Sequence, residues 1–153
     1  MAKYLLVAHQ TAQSDELLGA ALDLARDDQH AEFVLLVPAT PVASLLVWEE
    51  GETMELARRH AAAARARLEQ HGLDVVAARP ADADPMAAIA DELHDGHRFA
   101  AVVVSTLPAG LSRWLRMDVI SRVRRNFPRH RVIHVESARV PAAEPAPVRE
   151  LTS

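Results

Sequence analysis

The chain has 153 residues, half of them hydrophobic, and a formal net charge of −4. This is enough apolar material for one sizeable core, and the acidic balance argues against a general nucleic-acid-binding protein. The absence of cysteine excludes disulfides, thiolate metal sites and a cysteine nucleophile. We find no signal-peptide pattern and no apolar run of membrane-spanning length, so we expect a soluble, cytoplasmic protein.

Short apolar runs of strand length alternate with segments of helical periodicity along the chain. The first helix is predicted to begin after Ser14, the second to end at Gly72, the third to begin at Asp84–Pro85 and the last to cover Asp118–Asn126. Strands separated by helices favour parallel pairing with right-handed crossovers, hence a three-layer α/β/α sandwich. The predicted strands are Tyr4–Ala8, Phe33–Val37, Leu73–Ala78, Phe99–Val104 and Val132–Val135.

The C-terminal segment differs in composition from the rest of the chain. Residues 138–153 contain three prolines, mixed charges and no apolar period. Such a segment buries too little apolar surface to offset the entropy of ordering it. We therefore predict one domain over residues 1–137 and a flexible, proline-rich tail over residues 138–153.

The segment that follows the fourth predicted strand resembles the nucleotide loop of the universal stress protein family, within the adenine nucleotide alpha hydrolase-like superfamily. That loop has the pattern Gly-x2-Gly-x9-Gly-[Ser/Thr], and its four positions correspond in spacing to Ser105, Pro108, Asp118 and Val119. None of the four has the residue type of the family. The resemblance extends from about Lys3 to Glu136 and implies a Rossmann-like, five-stranded parallel sheet of order 3-2-1-4-5.

In such a sheet, ligands bind beyond the carboxyl ends of the strands, where the first and fourth strands diverge. In nucleotide-binding members of the family, an aspartate just after the first strand holds the ribose and adenine, and this chain has no acidic residue there. The candidate ligand-binding residues are His9, Gln10 and Thr11 after strand one, Pro38, Ala39 and Thr40 after strand two, and Ser105, Thr106, Pro108, Gly110, Ser112, Arg113, Asp118 and Val119 after strand four.

The same loop lacks the features that hold a polyphosphate. Glycines let backbone amides approach an anion, whereas Pro108 removes an amide donor. Asp118 is predicted to cap the last helix with its own carboxylate, which would also repel a phosphate. We therefore expect no ATP bound in the manner of the family and no other cofactor. A smaller anion still finds hydroxyls and cations, notably at Ser112 and Arg113.

Three histidine patterns bear on catalysis and metal binding. The sequence His94-Asp95-Gly96-His97 matches the His-x-Gly-His signature of adenylyl-transferring enzymes, but it falls where Gly96 is typical of a helix end. His130 and His134 have no third ligand, so we predict no metal site. His9 is the only histidine in the expected crevice, and a packing or hydrogen-bonding role is expected for it, because no acidic neighbour orients it as a base.

Seven arginines lie between Arg113 and Arg131. A solvated helix face explains them most simply, and a surface for an acidic partner is the alternative. Aromatic residues are too sparse there for a single-stranded nucleic acid. The last strand is predicted to form a sheet edge that pairs two copies into a homodimer, through Val132, Ile133, His134 and Val135. The apolar run from Leu45 to Trp48 is a second candidate for an interface, or for a lid.

Three functions remain open from the sequence. The first, which we favour, is a regulatory or binding protein similar to universal stress proteins, with no catalytic residues and no ATP hydrolysis. The second is a nucleotide- or small-anion-binding protein that uses the loop after strand four. The third is a nucleotide hydrolase, for which the sequence offers no visible nucleophile, acid–base pair or metal cluster.

Overall fold

The computed structural model describes residues 2–9, 11–39, 50–81, 84–94, 98–107, 114 and 118–137, with the side chains of residues 50–53 excepted. Each predicted strand and helix is present, with ends shifted by a few residues. The apolar run from Leu45 to Trp48 and the tail over residues 138–153 lie outside the described residues. The strands are β1 Lys3–Val7, β2 Glu32–Pro38, β3 Asp74–Ala81, β4 Ala101–Thr106 and β5 Arg131–Glu136, and the described helices are α1 Asp15–Asp27, α2 Glu50–Gln70, α3 Pro85–His94 and α4 Val119–Asn126.

The five strands form one parallel sheet in the order β3-β2-β1-β4-β5, which confirms the predicted topology. The central strand β1 pairs with both β2 and β4, so that Leu5 lies opposite Val34 on one side and Val102 on the other. The strand order reverses at β1 and β4. The carboxyl ends of these two strands therefore define the region where a ligand site is expected.

Side chains on the two faces of the sheet belong to two separate cores. Tyr4 and Leu6 of β1 pack on the face covered by α1 and α2, whereas Leu5 and Val7 pack on the face covered by α3 and α4. Leu5, Leu6 and Val7 are completely buried, as expected for a central parallel strand. Each such side chain contributes about 2 kcal/mol through burial alone. This rigid centre fixes the positions of the carboxyl ends of β1 and β4.

Three predicted helix ends are confirmed in detail. Ser14 caps α1, because its hydroxyl accepts a hydrogen bond from Leu17 N at 3.0 Å. Asp84 plays the same part for α3, accepting from Met86 N at 3.0 Å. Gly72 has a φ of 89° and ends α2 in a Schellman motif, in which Leu73 N donates to the Leu68 carbonyl.

The two edges of the sheet differ. Edge strand β3 contains a bulge at Val76, since Phe33 pairs with Val75 but Val34 pairs with Ala77. It also contains Pro80, which offers no backbone donor. A bulge and a proline are devices that prevent pairing with another chain.

Edge strand β5 has neither device. Ser137 N donates to the Thr106 carbonyl of β4 at 2.8 Å, and backbone direction alternates along a strand, so the N–H groups of Ile133 and Val135 also point towards β4. Those of Val132 and His134 point outward. The side chain of Arg124 reaches the outward Val132 carbonyl only at 3.4 Å, beyond the usual range of a hydrogen bond.

No helix among the described residues is both long enough and apolar enough to cross a membrane.

Candidate functional site

Four buried hydroxyl groups form a continuous chain across the carboxyl ends of β1, β4 and β5. The distances between successive oxygens are 2.6 Å from Thr11 Oγ1 to Ser105 Oγ, 3.2 Å from Ser105 Oγ to Ser137 Oγ and 2.8 Å from Ser137 Oγ to Ser14 Oγ. All four residues are at most 2% exposed. We call Thr11, Ser105, Ser137 and Ser14 the hydroxyl chain.

All hydrogen bonds of the hydroxyl chain are donated in the same direction, from Thr11 towards Ser14. Ser137 donates to Ser14, and a hydroxyl has only one hydrogen, so Ser105 must donate to Ser137 and Thr11 to Ser105. Ser14 Oγ accepts in addition from Leu17 N, at the start of α1. Aligned hydrogen bonds of this kind polarise and strengthen one another. The chain thus joins the turn after β1, the end of β4 and the residue after β5 to the first turn of α1.

A fifth hydroxyl, that of Thr106, lies 2.8 Å from His134 Nε2. A hydroxyl beside an imidazole is the arrangement of an activated nucleophile. Thr106 is only 3% exposed, however, and a substrate cannot reach its oxygen. Burial lowers the pKa of His134, so the imidazole is neutral near pH 7. We interpret this pair as a structural bond between neighbouring strands β4 and β5.

The structure contradicts the prediction that Asp118 caps the last helix. Asp118 corresponds in spacing to the third glycine of the family pattern. It occupies the N-cap position of α4, but its side chain makes no capping hydrogen bond. The reason is its backbone, which has φ 57° and ψ 39° and is left-handed, whereas a capping side chain requires an extended N-cap residue. Left-handed backbone is the conformation that favours glycine. The backbone at this position is thus of the kind glycine adopts most readily, although the residue is aspartate.

Val119, at the last position of the resembled loop, is completely buried in the core beneath α3 and α4. The family pattern has a serine or threonine hydroxyl there. In this chain, aliphatic carbons that pack against the core take the place of a hydrogen-bond donor. The side chain contributes to folding and offers no hydroxyl to a ligand.

The β1 side of the carboxyl edge, by which we mean the end of the sheet where the strands have their carboxyl ends, contains two imidazoles. The ring centres of His9, just after β1, and His60, on α2, are 5.5 Å apart with the rings inclined at 56°. Burial, and then the neighbouring His60, lower the pKa of His9 to about 4. Burial also lowers the pKa of His60. Both imidazoles are therefore uncharged at neutral pH, and both are only half-buried.

The structure brings together part of the predicted site. Thr11 and Ser105 meet directly, and His9 lies on the same edge, whereas Pro38 and Ala39 are buried at the end of β2. Among the predicted site residues that the structure describes, only His9 and Asp118 retain substantial exposure. The predicted site residues outside the described part of the chain are Gln10, Thr40, Pro108, Gly110, Ser112 and Arg113.

Sequence reasoning missed two residues at the carboxyl ends of the strands, Ser137 and His60. It also missed that Ser14 accepts a hydrogen bond from Ser137 in addition to capping α1. Ser137 follows the last strand directly, and this position at the carboxyl end of β5 was the available signal. His60 adjoins the buried helical positions Ala57, Ala61 and Ala64, so its location beside the core was readable. Its meeting with His9, 51 positions earlier, depends on the tertiary fold.

Within the described ranges, no group of three or more histidine, aspartate or glutamate side chains is arranged to hold a metal ion. His134 is bonded to Thr106, and His130 packs against the ring of Phe127 with ring centres 6.2 Å apart. These two histidines therefore have separate partners. Residues 95–97 of the His-x-Gly-His match are outside the described residues, and α3 ends at His94.

Comparison with known proteins identifies the fold. No protein-family model and no curated protein matches the sequence. Solved structures do match. A universal stress protein from Archaeoglobus fulgidus is 15% identical with a TM-score of 0.59, over 88% of this chain and 93% of that one.

Two nucleotide complexes have the same fold. A universal stress protein in complex with cAMP is 16% identical, with a TM-score of 0.53 over 90% of this chain and 98% of that one. The universal stress protein from Archaeoglobus fulgidus in complex with dAMP is 14% identical, with a TM-score of 0.55 over 88% and 97%. The chain therefore has the fold of universal stress proteins, as the resemblance of its loop implied.

Proposed function

We propose that this protein is a non-catalytic binding protein of the universal stress protein type that does not hold ATP at the loop after β4. The observation that carries the proposal is the hydroxyl chain. Its members donate to and accept from one another across the carboxyl ends of β1, β4 and β5, and all are buried. A polyphosphate would have to break these bonds before it could use the same groups.

Two further features support the same proposal. Val119 presents carbon where the family pattern has a hydroxyl. Asp118 is exposed at the start of α4, where its carboxylate adds negative charge to the end of the helix that attracts anions. Each feature makes a phosphate less favourable there. Together they argue against nucleotide hydrolysis, which requires the phosphates to be held close to a reactive group.

A nucleoside monophosphate is a second candidate ligand. Universal stress proteins of the same fold have been solved with cAMP and with dAMP, each of which has a single phosphate. The His9 side of the edge is half-buried and uncharged, so it suits a base or sugar better than a phosphate. A nucleoside monophosphate does not need a loop that binds several phosphates.

Calorimetric titration with Mg-ATP tests the proposal. We expect no binding tighter than about 1 mM, which corresponds to about 4 kcal/mol. The variant Ser105→Gly/Pro108→Gly/Asp118→Gly/Val119→Ser restores the pattern of the family and is the matched comparison, in which affinity should rise. A micromolar dissociation constant for the unmodified protein would refute the proposal. Parallel titrations with AMP and cAMP test the second candidate.

We also propose a homodimer formed by antiparallel pairing of β5, at Val132, Ile133, His134 and Val135. The contrast between the sheet edges supports it, because β3 has a bulge and a proline whereas β5 has outward donors on Val132 and His134. Ile133 and Val135 are also only partly buried against the core. A second copy would cover them.

Paired substitutions at His134 test the dimer. His134→Pro removes an outward N–H and should prevent dimerisation, whereas His134→Ala loses the bond to Thr106 but retains the N–H and should remain dimeric. Analytical ultracentrifugation at micromolar concentration measures the difference. A 16.7 kDa monomer for the unmodified protein, or a His134→Pro protein that is still dimeric, would contradict edge pairing.

A further inference from the structure

His9 and His60 reach the same place from different elements of the fold. His9 lies in the turn after β1, where Ala12 N donates to the His9 carbonyl at 3.3 Å, and His60 lies near the middle of α2. Buried residues adjoin both, since Ala8 precedes His9 and Ala61 follows His60. Both backbones are therefore anchored, and the two imidazoles lie side by side at the same end of the sheet.

The separation of the rings is that of two ligands on one metal ion. Two imidazoles bound through nitrogens about 2.0 Å from a tetrahedral ion have ring centres about 5 Å apart. The ring centres of His9 and His60 are 5.5 Å apart, and the rings are inclined rather than stacked.

The chemical state of the rings suits the same purpose. A metal-binding imidazole must be neutral, and burial keeps both rings uncharged at neutral pH. Both are half-buried, so water can fill the remaining coordination positions. Imidazole is a preferred ligand of zinc and copper ions, whereas magnesium and calcium prefer oxygen.

The sequence predicts no metal site, and no group of three metal-ligating side chains occurs among the described residues; departing from that prediction, we propose that His9 and His60 as a pair bind one divalent transition-metal ion, Zn²⁺ or Cu²⁺, at the β1 side of the carboxyl edge. Two protein ligands make this an open, exchangeable site with coordination positions left for water or for a further ligand. The site is independent of the loop after β4. Failure of the metal-site proposal would therefore leave the proposal about ATP unchanged, and the reverse also holds.

Calorimetric titration with ZnCl2 and CuCl2 in a non-coordinating buffer tests the site. We expect one ion per chain at the tightest step. His60→Ala should weaken that step about a hundredfold, because the second ligand of a chelate binds at high effective concentration. His9→Ala should have the same effect. The matched control is His71→Ala. His71 is an exposed histidine that directly follows α2, and its ring is bonded to the Arg67 carbonyl.

A thermal melt with and without each ion gives a second readout. An ion that binds only the folded chain raises the melting temperature of the unmodified protein and of His71→Ala, but not of His60→Ala. If His9→Ala fails to fold, His60→Ala alone decides the question. Absence of binding by either ion, binding that both single variants retain, or equal loss in His71→Ala would overturn the proposal.

Discussion

The two sides of the carboxyl edge of the sheet use polar residues in opposite ways. On the β4 and β5 side, Ser105 and Ser137 belong to a chain of hydroxyls that satisfy one another and exclude solvent. On the β1 side, His9 and His60 are uncharged and half-buried, and within the described part of the chain their rings contact each other. A buried group that has its partners stabilises the fold, whereas a polar group held in place without them is available to a ligand.

This difference changes where a ligand site should be sought in the chain. The resemblance of the loop after β4 directs attention to the side where the buried hydroxyls are bonded to one another. The imidazole pair directs it to the neighbouring side, where the sequence marks His9 but not His60. Three substitution or titration experiments test the contrast, in order of expected effect.

The largest effect should be the pH dependence of the imidazole side. The pKa of His9 is about 4 in the folded chain and 6.5 when unperturbed. Above pH 6.5 both states are neutral and His9 contributes nothing. As pH falls from 6.5 to 4, the unfolded chain takes up a proton that the folded chain does not, so the free energy of unfolding should fall by about 3 kcal/mol.

Urea denaturation at pH 7.5 and pH 4, with a metal chelator present, measures this loss. In His9→Gln, the loss between the two pH values should be smaller than in the unmodified protein by about the same 3 kcal/mol. His71→Gln serves as a control and should behave as the unmodified protein does. An unchanged pH dependence in His9→Gln would show that the ring is not held away from water as described.

The second effect concerns the hydroxyl side. Ser105→Ala removes the link that accepts from Thr11 and donates to Ser137, leaving both without that partner in a buried position. The expected loss is about 2 kcal/mol in the free energy of unfolding. Ser121→Ala, at a half-buried position on α4, is the matched control and should change stability by less than about 0.5 kcal/mol. Equal effects of the two substitutions would mean that the hydroxyl chain contributes no special stability.

The smallest effect should come from the backbone at Asp118. Replacing this residue by glycine relieves a left-handed conformation that costs a residue with a side chain about 1 kcal/mol. Asp118→Gly should therefore raise the free energy of unfolding by about that amount. Asp118→Ala retains the strain and should show no gain. A loss of stability in Asp118→Gly would instead restore the view of Asp118 as a helix cap.

The sequence predicted the fold well because the relevant signals are local. Leu5 to Val7 belong to a short apolar run typical of a doubly covered strand, and Ser14, Gly72 and Asp84 mark helix ends through their own chemistry. The site was predicted less well because its contacts are distant in sequence. Ser14 and Ser137 are 123 positions apart, and hydroxyls give no long-range pattern.

The error at Asp118 has a similar physical origin. Aspartate before a helix is usually a cap, and residue type alone gave no reason to expect left-handed backbone. The correspondence with a glycine of the family pattern was the one available sign of a positive φ. The sequence analysis interprets it as the loss of a phosphate contact, but it also indicates the backbone conformation of Asp118 itself.

The central claim is that the β4 side of the carboxyl edge is closed to polyphosphates by its own hydroxyls. The most direct test is to follow backbone amide chemical shifts of the isotope-labelled protein during a titration with Mg-ATP to several millimolar. The amides of Ser105, Thr106 and Val119 should remain unshifted, whatever occurs near His9. Saturable shifts at those three amides, at ATP concentrations below about 1 mM, would contradict the claim.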